Sequence, residues 1–586
     1  MVELDEPLSD YVSFLRDQHK RNVSSYFEDL IQNAGIDEQK NIETVAELQS
    51  LESDVSKSSS TRAWWGYGRA LLLIIAGLCI YEGSIGTGVR RLWFVPPVLL
   101  VALLFLKINP TIKNLDSVLK DLKSARDNKA GEAWRQLESL NSQHTWDTAA
   151  KLFQRTLPQV KLDKYFSHDR LVDLIRTYNL TTNFTNSRSV LFSQSGSFKN
   201  NPFVVTKYLH HWIGSRSYTG SLTIYWTETV RDSNGNYKTV QRSQVLTASV
   251  VKPFPEYTPQ AAIIYGHEAA PNLSFSRSPS NLSGLDEGLL NNWRKNRSFK
   301  QVEKKARKDI KTGNGQLTVM SNKDFEALFK AIDRDHEIEF RLLFTPLAQQ
   351  EMVKLLNDKS VGYGDNFAFT KQGMINVIET GHLGQTDFQP DPRMFHTLSV
   401  SHARSFFNEF HNEFFRSLYF GLAPLLTIPL YAESRTIPEL KTSNSRHQSS
   451  FWEHEAMANY IGQQAFKHPN SITQNLLKVS EISTEGANHI VSVTAHGYQG
   501  FTRIDYVPVG GGDGNVHMVP VEWIEYIPVS QESRMAIGSV ESHDFDDDDE
   551  TNSSLSSEWS EFLNRNGVNN SETFVRGSLA ATLLGY

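Results

Sequence analysis

The sequence feature that most constrains the fold is a pair of apolar segments between Ala63 and Ile108. Ala70–Tyr81 and Leu92–Leu106 contain no charged residue, although each is shorter than the roughly 20 residues of an average membrane span. Neither segment has a polar stripe, which argues against a buried hairpin of a soluble domain. Aromatic residues that suit a lipid–water interface lie at the segment ends, namely Trp64, Trp65, Tyr67, Tyr81, Trp93 and Phe94. The pattern predicts a transmembrane hairpin over residues 63–108.

Basic residues around this hairpin predict its orientation. Six flank its outer ends, namely Lys57, Arg62, Lys107, Lys113, Lys120 and Lys123. Only Arg90 and Arg91 lie in the connector. Because basic loops stay on the cytoplasmic side, we expect a protein of the cell membrane with two spans and both termini in the cytoplasm.

Composition limits the remaining possibilities. The chain has 586 residues, too many for a single core, and its net charge of −7 excludes general binding to polyanions. Cys79 is the only cysteine, so one chain can form neither a disulfide nor a cysteine-based zinc site.

Hydrophobic periodicity predicts an α+β protein with N-terminal helices, a two-helix transmembrane hairpin, a helical stalk, and a mixed α/β soluble body with antiparallel hairpins. The predicted segments are a helical arm (1–55), the hairpin (63–108), a helical stalk (109–180), an antiparallel β region (187–280), a basic amphipathic helix (289–312), an α/β region (316–432), a helix with a β hairpin (451–530), and an acidic, mostly disordered tail (539–586).

Several local predictions can be checked against a structure. Ser56–Thr61 is predicted to be a linker, and the stalk helix is predicted to break near Gly131. Ser221–Val230 and Tyr237–Val251 alternate polar and apolar residues, which predicts a β hairpin that ends at Pro253 and Pro255.

Two further segments are ambiguous in the sequence. Glu339–Phe344 has a strand-like composition. Leu418–Ala432 is uncharged and could be a third span, but its length and its prolines, Pro424 and Pro429, favour a buried strand and turn.

A strongly basic helix is predicted at Trp293–Lys311. Its apolar residues Phe299, Val302, Ala306 and Ile310 fall on one face. Its cations are Arg294, Lys295, Arg297, Lys300, Lys304, Lys305, Arg307, Lys308 and Lys311. They form either the solvated face of an ordinary amphipathic helix or a surface for anionic lipid headgroups. Nucleic acid is the weaker interpretation, since no recognition fold accompanies the charge.

Catalytic motifs give no comparable signal. His454-Glu455 and His267-Glu268 lack the second histidine that a zinc-binding helix requires one turn later. The sequence contains no P-loop, dinucleotide fingerprint or nucleophile elbow. We therefore predict no catalytic, cofactor or metal residues.

Asn322–Leu356 reads NKDFEALFKAIDRDHEIEFRLLFTPLAQQEMVKLL. It resembles a segment of an uncharacterised family of bacterial two-span membrane proteins of the Gram-positive and mycoplasma type. The matching residues are Phe325, Glu326, Phe329, Asp335, Leu342, Leu343, Thr345, Pro346 and Leu355. The resemblance implies a two-span anchor with a cytoplasmic α/β body, and it implies no activity and no site residues.

The sequence thus predicts a membrane-anchored cytoplasmic scaffold or interaction protein. Its expected partners are the lipid bilayer and an unknown protein, and the sequence allows a homo-oligomer. The alternative is a membrane-tethered enzyme whose site assembles from dispersed residues, because such sites leave no local motif.

Overall fold

The computed structural model describes residues 4–85, 95–181, 187–231, 236–280, 282–283, 289–311, 317–437, 448–539, 557–568 and 572–584. These residues form helices and two antiparallel sheets, so the predicted α+β class is confirmed. They fall into two compact units. We call Lys20–Thr148 with Pro390–Asn412 the helical unit, and Met1–His19, Ala149–Gln389 and Glu413–Tyr586 the body.

The described residues of the first quarter of the chain, up to residue 141, are mostly helical. Its elements are α1 (Pro7–Asp10), a π-helical turn (Tyr11–Leu15), α2 (Arg16–Ala34), α3 (Glu38–Ile85), α4 (Val95–Leu103), a second π-helical turn (Leu104–Ile108) and α5 (Asn109–Asn141). The predicted linker at Ser56–Thr61 is wrong, because α3 continues through it. Serine and threonine disfavour a helix only slightly, and the Thr61 hydroxyl donates to the Lys57 carbonyl oxygen at 2.9 Å.

The predicted break near Gly131 is also wrong. One glycine costs a helix about 1 kcal/mol, which the rest of the 33-residue helix α5 outweighs.

Two helices, Glu38–Tyr81 and Pro96–Asn141, are long and apolar enough to cross a membrane. Leu104, Ile108 and Ile112 pack with Trp65 and Leu72. Elsewhere the apolar windows are exposed, since only 11% and 17% of their residues are buried. Residues 86–94, with Arg90, Arg91, Trp93 and Phe94, lie outside the described residues.

The first sheet of the body contains β1 (Val160–Leu162), β2 (Arg188–Phe198), β3 (Asn201–Arg231), β4 (Tyr237–Gly266), β5 (Ser274–Arg277), β6 (Phe367–Gln372) and β7 (Ile375–Thr380). Its strand order is β1-β2-β3-β4-β7-β6-β5. The predicted hairpin is confirmed as β3 and β4, but Pro253 and Pro255 do not end it. Both strands are about 30 residues long.

The helices that follow α5 are α6 (Thr148–Thr156), α7 (His168–Tyr178), α8 (Leu289–Lys311), α9 (Lys323–Phe329), α10 (Glu337–Leu343), α11 (Pro346–Asn357), α12 (Val400–Leu426) and α13 (Phe451–Ile461). Helices α6 and α12 belong partly to the body and partly to the helical unit. The predicted stalk over 109–180 is therefore too long, since α6, β1 and α7 follow α5.

Glu339–Phe344 is helical in α10 and not a strand. The helical spacing brings Phe340 and Phe344 together, with ring centroids 4.7 Å apart, in a cluster that includes Phe325 and Phe329. Leu418–Ala432 is largely buried as predicted, but it is the end of α12 followed by a 3-10 turn (Pro429–Ala432).

The second sheet contains β8 (Leu476–Glu485), β9 (Asn488–Gly510) and β10 (Val516–Ser539), and after α14 (Ser557–Arg565) it continues with β11 (Thr573–Arg576) and β12 (Leu579–Leu584). Its strand order is β11-β12-β10-β9-β8. The predicted disordered tail at 539–586 is thus wrong for its last part, because β12 pairs with β10. Residues 540–556, with the acidic run Asp544–Glu550, lie outside the described residues.

Helix α13 lies between the two sheets and packs on β2, β8 and β9. Trp452 and Ala456 belong to a core with Tyr178, Val190 and Ile264 of the first sheet and its helices. The next residues, Met457 and Ala458, belong to a core with Leu477, Val493 and Met535 of the second sheet. Residues 452–458 are all buried, so this part of the helix has no solvent face, which explains why its sequence shows no clear amphipathic pattern.

Candidate functional site

Helix α8 carries the predicted basic surface, and its apolar stripe packs inward. Val302 and Ala306 are buried and Phe299 is half-buried. The Ser298 hydroxyl donates to the Ala327 carbonyl oxygen of α9 at 3.0 Å. The Ile310 side chain lies outside the described residues. The predicted amphipathic helix is therefore present, with α9 against its apolar face.

The opposite face of α8 is cationic and exposed. Seven of the nine predicted cations are exposed, namely Arg294, Arg297, Lys300, Lys304, Arg307, Lys308 and Lys311. Lys295 and Lys305 are half-buried, and Lys305 donates to the Ile332 carbonyl oxygen. Arg307 forms an ion pair with Glu303 at 3.0 Å. A continuous cationic face remains, and its contact with lipid stays a prediction.

A second surface was not predicted from the sequence. Beyond His211 and Gln260, strands β3 and β4 extend past the rest of their sheet as a two-stranded ribbon. Between Gly497 and Val529, strands β9 and β10 do the same. The two ribbons stack face to face, with Ile224, Leu246, Ala248, Val519 and Val521 between them. We call this pair of stacked ribbons the arm.

Polar contacts fix the two layers of the arm to each other. Lys252 forms an ion pair with Asp505 at 2.6 Å and lies 4.2 Å from the ring centroid of Trp523. The Trp523 indole nitrogen donates to the same carboxylate at 2.9 Å. Gly220 lies against the backbone of Pro520 so closely that a side chain there would collide with the Pro520 carbonyl. The arm is therefore a built element with its own small core.

The third feature is a row of buried polar side chains on α13. Glu453 accepts a hydrogen bond from the Phe166 amide at 2.8 Å, and Glu455 accepts one from the Val190 amide at 2.6 Å. Lys478 lies 2.8 Å from Glu455. His454 shares a hydrogen bond of 2.9 Å with the Ser449 hydroxyl. These contacts tie α13 to segments of both sheets.

Burial dominates the electrostatics of this row. It raises the pKa of Glu453 and of Glu455 to about 7 each, and it lowers the pKa of His454 to about 3. Burial also lowers the pKa of Arg576, which lies near Glu453 and 5.3 Å from the ring centroid of Phe192. Shifts of this kind are frequent in active sites but also occur in structural networks.

The geometry favours the structural interpretation of this row. The cavity beside Glu453 and Arg576 has room for about one water molecule. Among the described residues, no group of three or more histidine, cysteine, aspartate or glutamate side chains is arranged to bind a metal ion.

Glu453→Gln tests the titration of this buried carboxyl. The folded-state pKa of about 7 exceeds the ordinary 4.5, so the wild type loses unfolding free energy as the pH rises from about 4.5 to about 7. Glutamine cannot ionise. We expect the unfolding free energy of Glu453→Gln, minus that of the wild type, to rise by about 3 kcal/mol between pH 4.5 and pH 7. Denaturant unfolding in detergent at pH 4.5 and 7.5 measures it. The control is Glu522→Gln at an exposed carboxylate, for which we expect a constant difference.

The resemblance of Asn322–Leu356 to a bacterial membrane-protein family also stays a prediction. No family model, curated protein or solved structure matches this chain.

Proposed function

We propose that the protein is a membrane-anchored scaffold or interaction protein, held in the cell membrane by two spans with both termini in the cytoplasm. The observation that carries this proposal is the exposure of the two apolar helices. Ile74 is 61% exposed and Leu99 is 66% exposed, at the centres of the two segments. Apolar side chains that are covered by no other described part of the chain require another apolar environment, and a bilayer supplies it.

The basic face of α8 would then contact anionic lipid headgroups. A tethered body stays close to the membrane surface, where each basic residue contributes about 1 kcal/mol when the leaflet is anionic. Seven exposed cations, even with Arg307 paired to Glu303, are sufficient for several kcal/mol. The support is the packing of α8, since Val302 and Ala306 of its apolar stripe are buried, α9 lies beside it, and its cationic face remains exposed.

The full chain in lipid nanodiscs tests the headgroup contact. In a Cys79→Ser background, Gln301→Cys on the exposed face of α8 carries an environment-sensitive dye. We expect its emission to shift to shorter wavelength in nanodiscs with 30% phosphatidylserine (roughly the anionic content that attracts basic segments) and not in neutral ones. Arg297→Glu with Lys300→Glu and Lys304→Glu should abolish this shift.

The matched control reverses three exposed lysines elsewhere in the body, Lys161, Lys238 and Lys359. It changes the net charge equally, so it should leave the shift intact. Equal emission in anionic and neutral nanodiscs would contradict the headgroup contact. Recovery of the wild-type chain without detergent would contradict the anchor itself.

A further inference from the structure

The arm contains four long strand edges. Along the arm, β3 and β4 pair only with each other among the described residues, and so do β9 and β10. Each strand therefore has one edge whose amides and carbonyls have no strand beside them. Such edges pair readily with other chains, and natural proteins block them with proline, lysine or a bulge.

Prolines identify which backbone groups face these edges. A strand tolerates proline where the nitrogen points away from the paired strand. In β4 the prolines are Pro253, Pro255 and Pro259. The backbone amide and carbonyl groups of the odd-numbered residues therefore point away from β3, and we call these residues the outward set. The partners of this set in β3 are also odd-numbered. The His211 amide agrees, because it donates to the Ser187 carbonyl on the side away from β4, at 3.1 Å.

Three of the four edges are blocked in this way. Pro253 and Pro255 interrupt the inner part of the β4 edge, whose outer part, residues 237–252, has no proline but carries Lys238 and Lys252. Pro508 interrupts the edge of β9, and Pro520 and Pro528 interrupt that of β10. Residues 212–231 of β3 contain no proline and no lysine, and their register with β4 has no bulge. The β3 edge is therefore open for about 60 Å.

The residues whose backbone groups point to this open edge are uncharged. They are Ile213, Ser215, Ser217, Thr219, Ser221, Thr223, Tyr225, Thr227 and Thr229, and all are exposed. Thr219 already shares a hydroxyl hydrogen bond of 2.9 Å with Ser249 across the ribbon. In the second ribbon, β10 packs against both β3 and β4, and β9 packs against β4; the nine residues above remain exposed beside this ribbon.

We propose that the β3 edge pairs in antiparallel fashion with the β3 edge of a second copy of this chain, about a two-fold axis at Leu222. Arg216 and Glu228 are each six residues from Leu222, so Arg216 of each copy faces Glu228 of the other copy and the pair occurs twice in the dimer. In the same register Tyr218 faces Trp226. The result is a four-stranded sheet, β4-β3 followed by β3-β4 of the second copy.

Charge and hydrogen bonding select this register. Arg216 forms no ion pair with another described residue and lies 3.5 Å over the Phe254 ring. Glu228 forms an exposed ion pair with Arg242 at 3.1 Å on the arm surface, and it can accept further hydrogen bonds there. If the register shifts by two residues in either direction, Arg216 and Glu228 no longer lie opposite each other. In the proposed register odd-numbered residues face odd-numbered residues, which brings the outward amides of one copy to the outward carbonyls of the other.

Proline substitution on the two edges of one ribbon tests the proposal. Thr223 and Val245 face each other, and both belong to the outward set. Thr223→Pro removes an amide of the β3 edge, whereas Val245→Pro does the same on β4, whose edge is already interrupted. In full-length protein in detergent, we expect a wild-type dimer, an at least tenfold larger dissociation constant for Thr223→Pro, and no change for Val245→Pro. Light scattering and sedimentation measure the mass, and thermal midpoints confirm that both variants fold.

Charge reversal and cross-linking test the register. Arg216→Glu and Glu228→Arg should each weaken the dimer, and the double variant should restore it. In a Cys79→Ser background, Leu222→Cys should form a disulfide across the axis, because directly opposed residues have the Cα separation that a disulfide needs. Val245 is 60% exposed, so Val245→Cys is the control that measures disulfide formation by random collision.

Three results would overturn the proposal: a wild-type chain that stays monomeric at about 50 μM (a weak limit for specific pairing), equal dissociation constants for the two proline variants, or equal cross-linking of the two cysteines. A monomer that binds an extended peptide through β3 would assign the edge to another protein.

Discussion

Arginine at the centre of each apolar helix will release the protein from the membrane. We expect Ile74→Arg with Leu99→Arg to move most of the chain from the carbonate-resistant membrane fraction to the supernatant or to aggregates. Each arginine opposes insertion by about 2.5–3.5 kcal/mol at the centre of a span. Both positions are exposed in the structure, so no described part of the protein screens the new charges from lipid.

The control places the same two charges outside the apolar windows. Asn114 and Val118 are exposed one helical turn apart on α5, and Asn114→Arg with Val118→Arg should leave the protein in the membrane fraction. If the Ile74/Leu99 variant is as resistant to carbonate as the wild type, the two helices are not membrane spans.

The proline-rich part of β4 shows what local sequence could and could not predict. Alternation over Ser221–Val230 and Tyr237–Val251 identified the hairpin, because side-chain direction in a strand has a period of two. The same reasoning ended the strand at Pro253 and Pro255. Proline interrupts a strand only when its nitrogen faces a partner, and here it faces an edge. Which side of a strand is an edge depends on distant segments, so the local pattern could not show it.

The candidate surfaces also differ in how far local sequence predicts them. The basic helix was predictable because its charge and its apolar stripe lie within about twenty consecutive residues. The arm required two hairpins separated by more than 200 residues of chain, and the stacking of Ile224 on Val519 and Val521 leaves no local signal. In the sequence the polar row on α13 shows only as an incomplete zinc motif, because Glu453 and Glu455 owe their raised pKa values to burial by distant segments.

The C-terminal segment gives the clearest difference between sequence and structure. An acidic, serine-rich composition predicts a mostly disordered tail after Ser539. In the structure β12 pairs with β10 from Arg534 to Ser539, and Trp559 and Phe562 are each 1% exposed against Ala536 and Ala580. A short segment can be well ordered when its few large apolar residues complete a core that other parts of the chain have formed.

Removal of residues 540–586 should therefore unfold the body. The deletion removes Trp559 and Phe562, and the loss of one such buried aromatic side chain costs about 3–5 kcal/mol. It also removes Leu579 and Ala581 from the core around Met457, and it exposes one edge of β10. The sum is comparable to the whole stability of a typical domain, about 5–15 kcal/mol. We expect loss of the cooperative thermal transition in detergent and aggregation of the truncated chain.

The matched control keeps α14, β11 and β12 and replaces only Asp544–Glu550 by a Gly/Ser sequence of equal length. This variant loses the acidic run but none of the described core, so its thermal midpoint should stay within about 2 °C of the wild type. Trp559→Ala should lie between the two, with a loss of about 3–5 kcal/mol. If the truncated chain unfolds at the wild-type temperature, residues 557–584 contribute nothing to the core and the sequence-based prediction of a disordered tail is correct. If the Gly/Ser variant is as unstable as the truncation, the acidic run itself stabilises the body, and the packing of Trp559 and Phe562 is not the cause.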